Sequence, residues 1–233
     1  MGDKETALIV GTGSGLSASL ARLFASEGMD VAIAARNTDK LSGLCEETRA
    51  TAYACDATDA KQVETLFAKV SADIGEPDVV IYNASNRARG PVQDLDIEAV
   101  RAAIEVSCFG GFLVAQAAAK QMIVRNSGTI LLTGASASVK GYANSSSFAM
   151  GKFGLRGLAQ SLARELQPQN IHVAHFVIDG GILQGPDDKR AAKRGKDAML
   201  RPDEIAKDYL HVHRQHRSSW TWEIELRPWV EKF

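Results

Sequence analysis

Short apolar runs bounded by Gly, Asn or Asp alternate along this chain with longer amphipathic segments, and that alternation limits the fold more than any other feature. Strands that are apolar on both faces need cover on both faces, and helices placed between them supply it. The pattern therefore predicts an α/β fold: a single doubly wound, Rossmann-type domain with about seven parallel strands. Strands are expected at Thr6–Gly11, Asp30–Ala35, Thr51–Cys55, Asp78–Tyr82, Thr129–Thr133, His172–Val177 and Thr221–Leu226. Helices are expected at Leu16–Glu27, Asp39–Thr48, Ala60–Ile74, Ile97 toward Arg125, Ser145–Gln167 and Pro202–Arg217. Gly28 suits a left-handed cap at the end of the first helix, and Pro202 suits the opening turn of the last.

With 233 residues and 45% hydrophobic content, the chain is long enough for one well-buried domain over residues 1–233 and short for two. Twenty-seven basic against 28 acidic side chains leave a formal net charge of -1, which gives no electrostatic reason for a nucleic acid or an anionic membrane as partner. A small molecule is the expected partner. Cys45, Cys55 and Cys108 lack CxxC spacing, so buried free thiols in a reducing cytoplasm are expected. The start of the chain runs directly into a strand, with no basic and apolar leader pattern. The segment Gln184–Arg201 is rich in Lys, Arg, Asp and Gly and follows the sixth strand. It is either a cover over a site at the carboxyl ends of the strands or a solvated surface excursion.

Gly11-Thr-Gly-Ser-Gly-Leu-Ser17 lies between the first strand and the first helix. Glycines there let backbone N–H groups and a helix N-terminus approach a pyrophosphate, which makes Gly11, Gly13, Ser14, Gly15 and Leu16 candidate cofactor contacts. The stretch resembles the Thr-Gly-x-x-x-Gly-x-Gly turn of the short-chain dehydrogenase/reductase family, with Val10 and Ser17 as substitutions. The resemblance covers nearly the whole chain. Where NAD-binding folds place an acid for the ribose hydroxyls, this chain has Arg36, whose guanidinium suits a 2′-phosphate. NADP(H) is therefore favoured over NAD(H). Cys55-Asp56 resembles the family's adenine-facing position, although Asp56 could equally cap the helix after Thr58. Asn83-Ala84-Ser85 resembles the Asn-Ala-Gly part of the motif beside the adenine ribose. Gly180 and Ile182, in Asp179-Gly-Gly-Ile, resemble the turn against the nicotinamide carboxamide, where Ile182 would use its backbone groups.

Phe148-Ala-Met-Gly-Lys152 resembles the family's Tyr-x-x-x-Lys frame with phenylalanine at its chemical end. A tyrosine four residues before a lysine stacks beside it on a helix, so that the ammonium lowers the phenol's pKa. Phenylalanine has no proton to give. In the same alignment the substrate-polarising serine falls on Ala135, and the asparagine that bends the central helix falls on Ser107. Lys152 alone is kept, and in the family it also binds the nicotinamide ribose. Ser136 and Tyr142 are the nearby groups that could replace the missing donor; a loop aromatic is the other reading of Tyr142. Ser145, Ser146 and Ser147 read as helix capping.

The tail carries His211, His213 and His216 on a polar face, without a spacing that predicts a metal site. Trp220, Trp222 and Trp229 surround the last strand, which lies at a subunit contact in the family. They are consistent either with a homo-oligomer, dimer or tetramer, or with burial against the chain's own last helix. The resemblance implies an NADP(H)-dependent oxidoreductase with an atypical site. Its rival is a catalytically silent NADP(H)-binding protein, acting as redox sensor or oligomer partner. Reduction of a polarised C=C bond would tolerate Phe148 better than carbonyl reduction would.

Overall fold

The computed structural model describes residues 4–185, 188–195 and 197–232. Seven strands form one sheet: β1 (Thr6–Val10), β2 (Asp30–Ala35), β3 (Thr51–Ala54), β4 (Val79–Tyr82), β5 (Gly128–Thr133), β6 (Ile171–Ile178) and β7 (Glu223–Leu226). Their order is β3-β2-β1-β4-β5-β6-β7, and each neighbouring pair is parallel. All seven agree with the expected strands to within two residues at each end, and β7 is an edge strand. The helices are α1 (Leu16–Ser26), α2 (Ser42–Thr48), α3 (Ala60–Asp73), α4 (Ile97–Ile104), α5 (Gly110–Arg125), α6 (Ser146–Leu166), α7 (Lys189–Arg194) and α8 (Pro202–His213). Gly28 takes the left-handed backbone expected of it, at φ +88°.

Both sheet faces are covered because successive side chains on a strand point opposite ways. Leu8 and Val10 of β1 join α3, α5 and α6 in one apolar layer. Ala7 and Ile9 of the same strand join α1 and α8 in the other. The chain reverses its direction of growth between β1 and β4, and the helices that follow those two strands, α1 and α5, pack on opposite faces of the sheet. A crevice opens there, at the carboxyl edge of the sheet.

The expected long helix from Ile97 to Arg125 is continuous but not uniformly α-helical. Residues Glu105–Phe109 form a π-turn between α4 and α5. Such a turn frees backbone groups from the regular ladder, and here a side chain meets one of them. The buried Tyr82 hydroxyl donates to the Val106 carbonyl. Gly110 leaves room for that ring, since a Cβ there would stand 2.4 Å from the Tyr82 hydroxyl. The segment is long and apolar enough to cross a bilayer by length and composition. In this fold Leu113, Val114, Ala118 and Met122 spend that apolar character inside the core.

The tail differs from its expected outline. The helix from Pro202 stops at His213, and Arg217–Ser219 forms a separate 3-10 turn. Trp220 stacks on His172 at 4.7 Å and donates to the Gln215 carbonyl, while Trp222 packs against the core beneath Arg156. Trp229 is 82% exposed. His213 bonds Thr129 and faces Glu5, and His216 accepts from the Ser218 amide.

Removing the Tyr82 hydroxyl leaves the Val106 carbonyl without its partner inside the π-turn. A Tyr82→Phe variant is expected to lose about 1–3 kcal/mol of stability. Urea unfolding would register this as a lower midpoint at unchanged m; an unchanged midpoint would mean that the carbonyl finds another donor.

Candidate active site

Two adjoining clefts occupy the crevice. The smaller, about 200 Å³, is lined by Gly11, Gly13, Gly15, Leu16, Ser17, Asn83, Ile182 and Gln184. Gly11 adopts φ +90°, and a Cβ on it would lie 2.3 Å from the Ala84 amide nitrogen, so only glycine lets the two loops meet. Gly13 and Gly15 face open space, with nothing within 4 Å of where a Cβ would stand. The N-terminus of α1 has no side-chain cap and no acid in its first turn. Open glycines before an uncapped helix form a cradle that fits a pyrophosphate.

Ser17, where the related turns carry glycine, braces this cradle. Its hydroxyl donates to the Gly11 carbonyl at 3.1 Å and accepts from Asn83 Nδ2 at 2.7 Å. Asn83 thus ties the loop after β4 to the loop after β1. Ser14 is exposed on the glycine turn, and Arg36 is exposed just beyond β2. The Ala34 carbonyl, two residues before Arg36, accepts from both Gly11 and Thr12, and Arg36 itself lines neither cleft. Asp56 does not cap the helix after Thr58. Its carboxylate closes a turn on the Thr58 amide and hydroxyl, and Asp59 caps α3 through Lys61 and Gln62. Cys55 is buried, and burial, with Asp56 and Asp59 adding, pushes its thiol up to about 11.

The larger cleft, of about 730 Å³, continues from the first and contains Lys152, Phe148, Ser136, Tyr142, Ser85 and the Asp179–Ile182 turn. Lys152 and Phe148 are one turn apart on α6, with the ammonium 5.9 Å from the ring centroid. Only 2% of Lys152 is exposed, and its Nζ donates to the Thr133 carbonyl at 2.7 Å. Burial, with the charge of Arg87 adding, lowers its pKa to about 7. Lys152 can therefore release a proton near neutrality. Ser136 opens a short 3-10 turn after β5 and is half-buried, and no described residue bonds its hydroxyl. Tyr142 is 45% exposed. Both expected substitutes thus reach the cleft.

Several expectations are corrected here. The serine run at the start of α6 does not cap it: Ser145 makes no capping bond, while the buried Ser147 hydroxyl holds the Ala88 backbone, donating to its carbonyl at 2.8 Å and accepting from its amide at 3.0 Å. Ser107, in the π-turn, grips Asn86 in the same two-bond manner. These clasps pin the segment after β4, and Arg87 between them lies with its guanidinium carbon 4.2 Å from the Phe148 ring centroid. Ile182 does not present a free carbonyl, because Arg190 donates to it at 2.8 Å. Gly180 sits at φ +153°, where a Cβ would meet Pro228. The Gln184–Arg201 segment is more than a solvated excursion in its described part. It carries α7, bridges Ile182 to Leu200, and brings Gln184, Arg190 and Arg194 to the cleft. Residues 186, 187 and 196 lie outside the described residues.

Arg87 and Arg89 were not legible as site residues in the sequence. Their one signal was position, two and four residues after Ser85 in the loop that leaves a strand at the crevice.

A doubly wound parallel sheet with a glycine cradle at its carboxyl edge is the architecture of the dinucleotide-binding folds of Rossmann type. The pattern of the short chain dehydrogenase family matches residues 5–186, and the chain belongs to that family. A cis-4-hydroxycyclohexanecarboxylate dehydrogenase from Sinomonas cyclohexanicum is 31% identical over 215 residues, covering 87% of this chain and 86% of that protein. A crystal structure of a short-chain dehydrogenase from Rhodopseudomonas palustris superposes with a TM-score of 0.84 at 32% identity, over 97% of this chain and 99% of the other. A metagenomic short-chain oxidoreductase crystallised with NADP gives a TM-score of 0.83 at 26% identity, over 96% and 97% of the two chains.

The lowered pKa of Lys152 has a consequence for stability. Between about 7 and the ordinary 10.5 the folded chain has released a proton that the unfolded chain still holds, so stability from this group rises with pH in that window and its deficit is complete below it. Without nucleotide, Lys152→Met is expected to be favoured over the parent most at pH 6. The gap should close toward pH 10 at up to about 1.4 kcal/mol per unit. A gap independent of pH in denaturant titrations would mean an ordinary ammonium.

Proposed function

We propose that this chain is an NADP(H)-dependent short-chain oxidoreductase with an atypical active site, acting on a small molecule. The observation that carries the reading is the continuity of two clefts. A cradle of Gly11, Gly13, Gly15 and Leu16, with Ser14 exposed on the same turn, opens directly into the cavity that holds the buried Lys152. Bound there, NADP(H) would supply or take up a hydride. Arg36, exposed and without an ion pair to any described residue, would take the 2′-phosphate; Asp56, Asn83, Ala84, Ser85, Gly180 and the Ile182 amide would frame the rest. Lys152 would hold the nicotinamide ribose.

Phe148 gives no proton, so the site needs another source. Ser136 and Tyr142 are the candidate donors, and water is the third. A positioned acid is typically worth about 10²- to 10⁴-fold in rate, so chemistry that tolerates a solvent proton suits this site best. Reduction of a polarised C=C bond meets that condition. The rival reading is a silent NADP(H)-binding protein. It is supported by Ser107, whose hydroxyl is committed to Asn86, and by Phe148, which Arg87 covers. A homo-oligomer is supported by the exposed apolar side chains Phe109, Phe112, Met150 and Phe153 on the helical face, and by Trp229. A cytoplasmic location is supported by three free cysteines.

Titration of the purified protein with NADPH and NADH, followed by nicotinamide fluorescence and thermal stabilisation, tests the cofactor reading. NADPH is expected to bind more tightly. Arg36→Ala should weaken NADPH about tenfold and leave NADH nearly unchanged. Binding of neither nucleotide would end the oxidoreductase reading. In the same protein, a Phe148→Tyr, Ala135→Ser double variant should gain carbonyl reductase activity, and a parent without turnover on enones would favour the silent reading.

A further inference from the structure

The charges around the larger cleft are not balanced locally. Its acids are already neutralised: Asp179 faces Lys140 at 3.3 Å and Arg227 at 3.4 Å, and Glu231 faces Arg194 at 3.5 Å. Arg190 is paired with Asp188 at 2.6 Å. Arg87 and Arg89, which line the same cleft, pair with no described carboxylate. They also repel each other, and the charge of Arg87 acts on Lys152 behind it.

An arrangement of like charges is costly unless something offsets it, and flexible arginines would ordinarily swing apart into solvent. These two are held. Ser107 grips Asn86, Ser147 grips Ala88, and the Gly90 amide donates to the Asn144 carbonyl, so the backbone on both sides of Arg87 is fixed. The guanidinium stacks on Phe148 at 4.2 Å, which leaves its edge free to bond while its face is occupied. Beside it, α6 begins at Ser146 without a side-chain cap or an acid in its first turn, so the positive end of a 21-residue helix faces the same space.

We infer that the substrate carries a carboxylate, taken by Arg87 and Arg89 at the mouth of the cleft, with its apolar body in the part lined by Ala135, Tyr142 and Ile182. This rests on the oxidoreductase reading and adds the substrate class to it. The guanidinium edge offers paired N–H donors that match a carboxylate's two oxygens. The glycine cradle, where a cofactor's phosphates fit, belongs to the smaller cleft, which neither arginine lines. Phe148 acquires a role as well, since an aromatic without a hydroxyl is a platform for the guanidinium.

The test uses benzoate and benzamide, which share shape and differ in charge, titrated calorimetrically into protein saturated with NADP+. Benzoate is expected to bind at least about tenfold more tightly than benzamide. Arg87→Gln and Arg89→Gln should each weaken benzoate about fivefold or more, and Arg89→Gln should leave NADPH affinity unchanged. Arg87→Lys should retain part of the effect, and the surface change Arg101→Gln none of it. Raising the salt concentration should weaken benzoate and leave benzamide alone. Equal affinity for the two probes, indifference of benzoate to Arg87→Gln, or displacement of NADP+ by benzoate would each overturn the inference. Failure of NADPH to bind at all is a separate outcome that sinks the oxidoreductase reading, and benzoate titrated into the nucleotide-free protein then decides the anion site by the same variants.

Discussion

The close approach of Gly11 to Ala84 is the contact on which the crevice depends. β1 is paired with β2 on one side and β4 on the other, and the chain must leave β1 and β4 through loops that begin side by side. A Cβ at Gly11 would lie 2.3 Å from backbone, so the loops can meet only because that atom is missing. Ser17 and Asn83 then lock the junction through a short chain of hydrogen bonds. Everything beyond it, from the open glycines to the cleft over Lys152, takes its position from this junction.

A second constraint acts on the segment after β4. The π-turn between α4 and α5 turns Ser107 toward Asn86, while Ser147 reaches Ala88 from α6. Two buried hydroxyls thus satisfy a backbone that belongs to neither a helix nor a strand, which is how an irregular segment becomes rigid. Its rigidity places Arg87 on Phe148. The stacked cation and the buried lysine are then parts of one electrostatic arrangement, since the first helps depress the pKa of the second. A bound anion near Arg87 would lessen that effect, coupling substrate charge to the protonation of Lys152.

Much of the architecture was readable in the sequence because it follows from local patterns. Apolar runs gave all seven strands to within two residues at each end, and turn residues such as Gly28 and Pro202 marked helix ends through their backbone preferences. The cradle was readable for the same reason: glycines between a strand and a helix have few other uses. The serine run at the start of α6 misled, because serines at a helix start usually cap and here Ser147 instead spans to a segment 59 residues away. Asp56 and Asp59 are both suited to capping, and only the way the chain turns selects Asp59.

What the sequence determined by itself was the sheet, the order of its elements, the cradle and the presence of Lys152 one turn after Phe148. These depend on periodicity and backbone chemistry, which are properties of neighbouring residues. Tertiary structure alone decided that Lys152 is buried enough to lose charge near neutrality, that Ser107 and Ser147 act as clasps, and that Arg87 and Arg89 share a cleft without a described acid to balance them. Burial and charge balance are sums over groups distant along the chain, and no local pattern carries them.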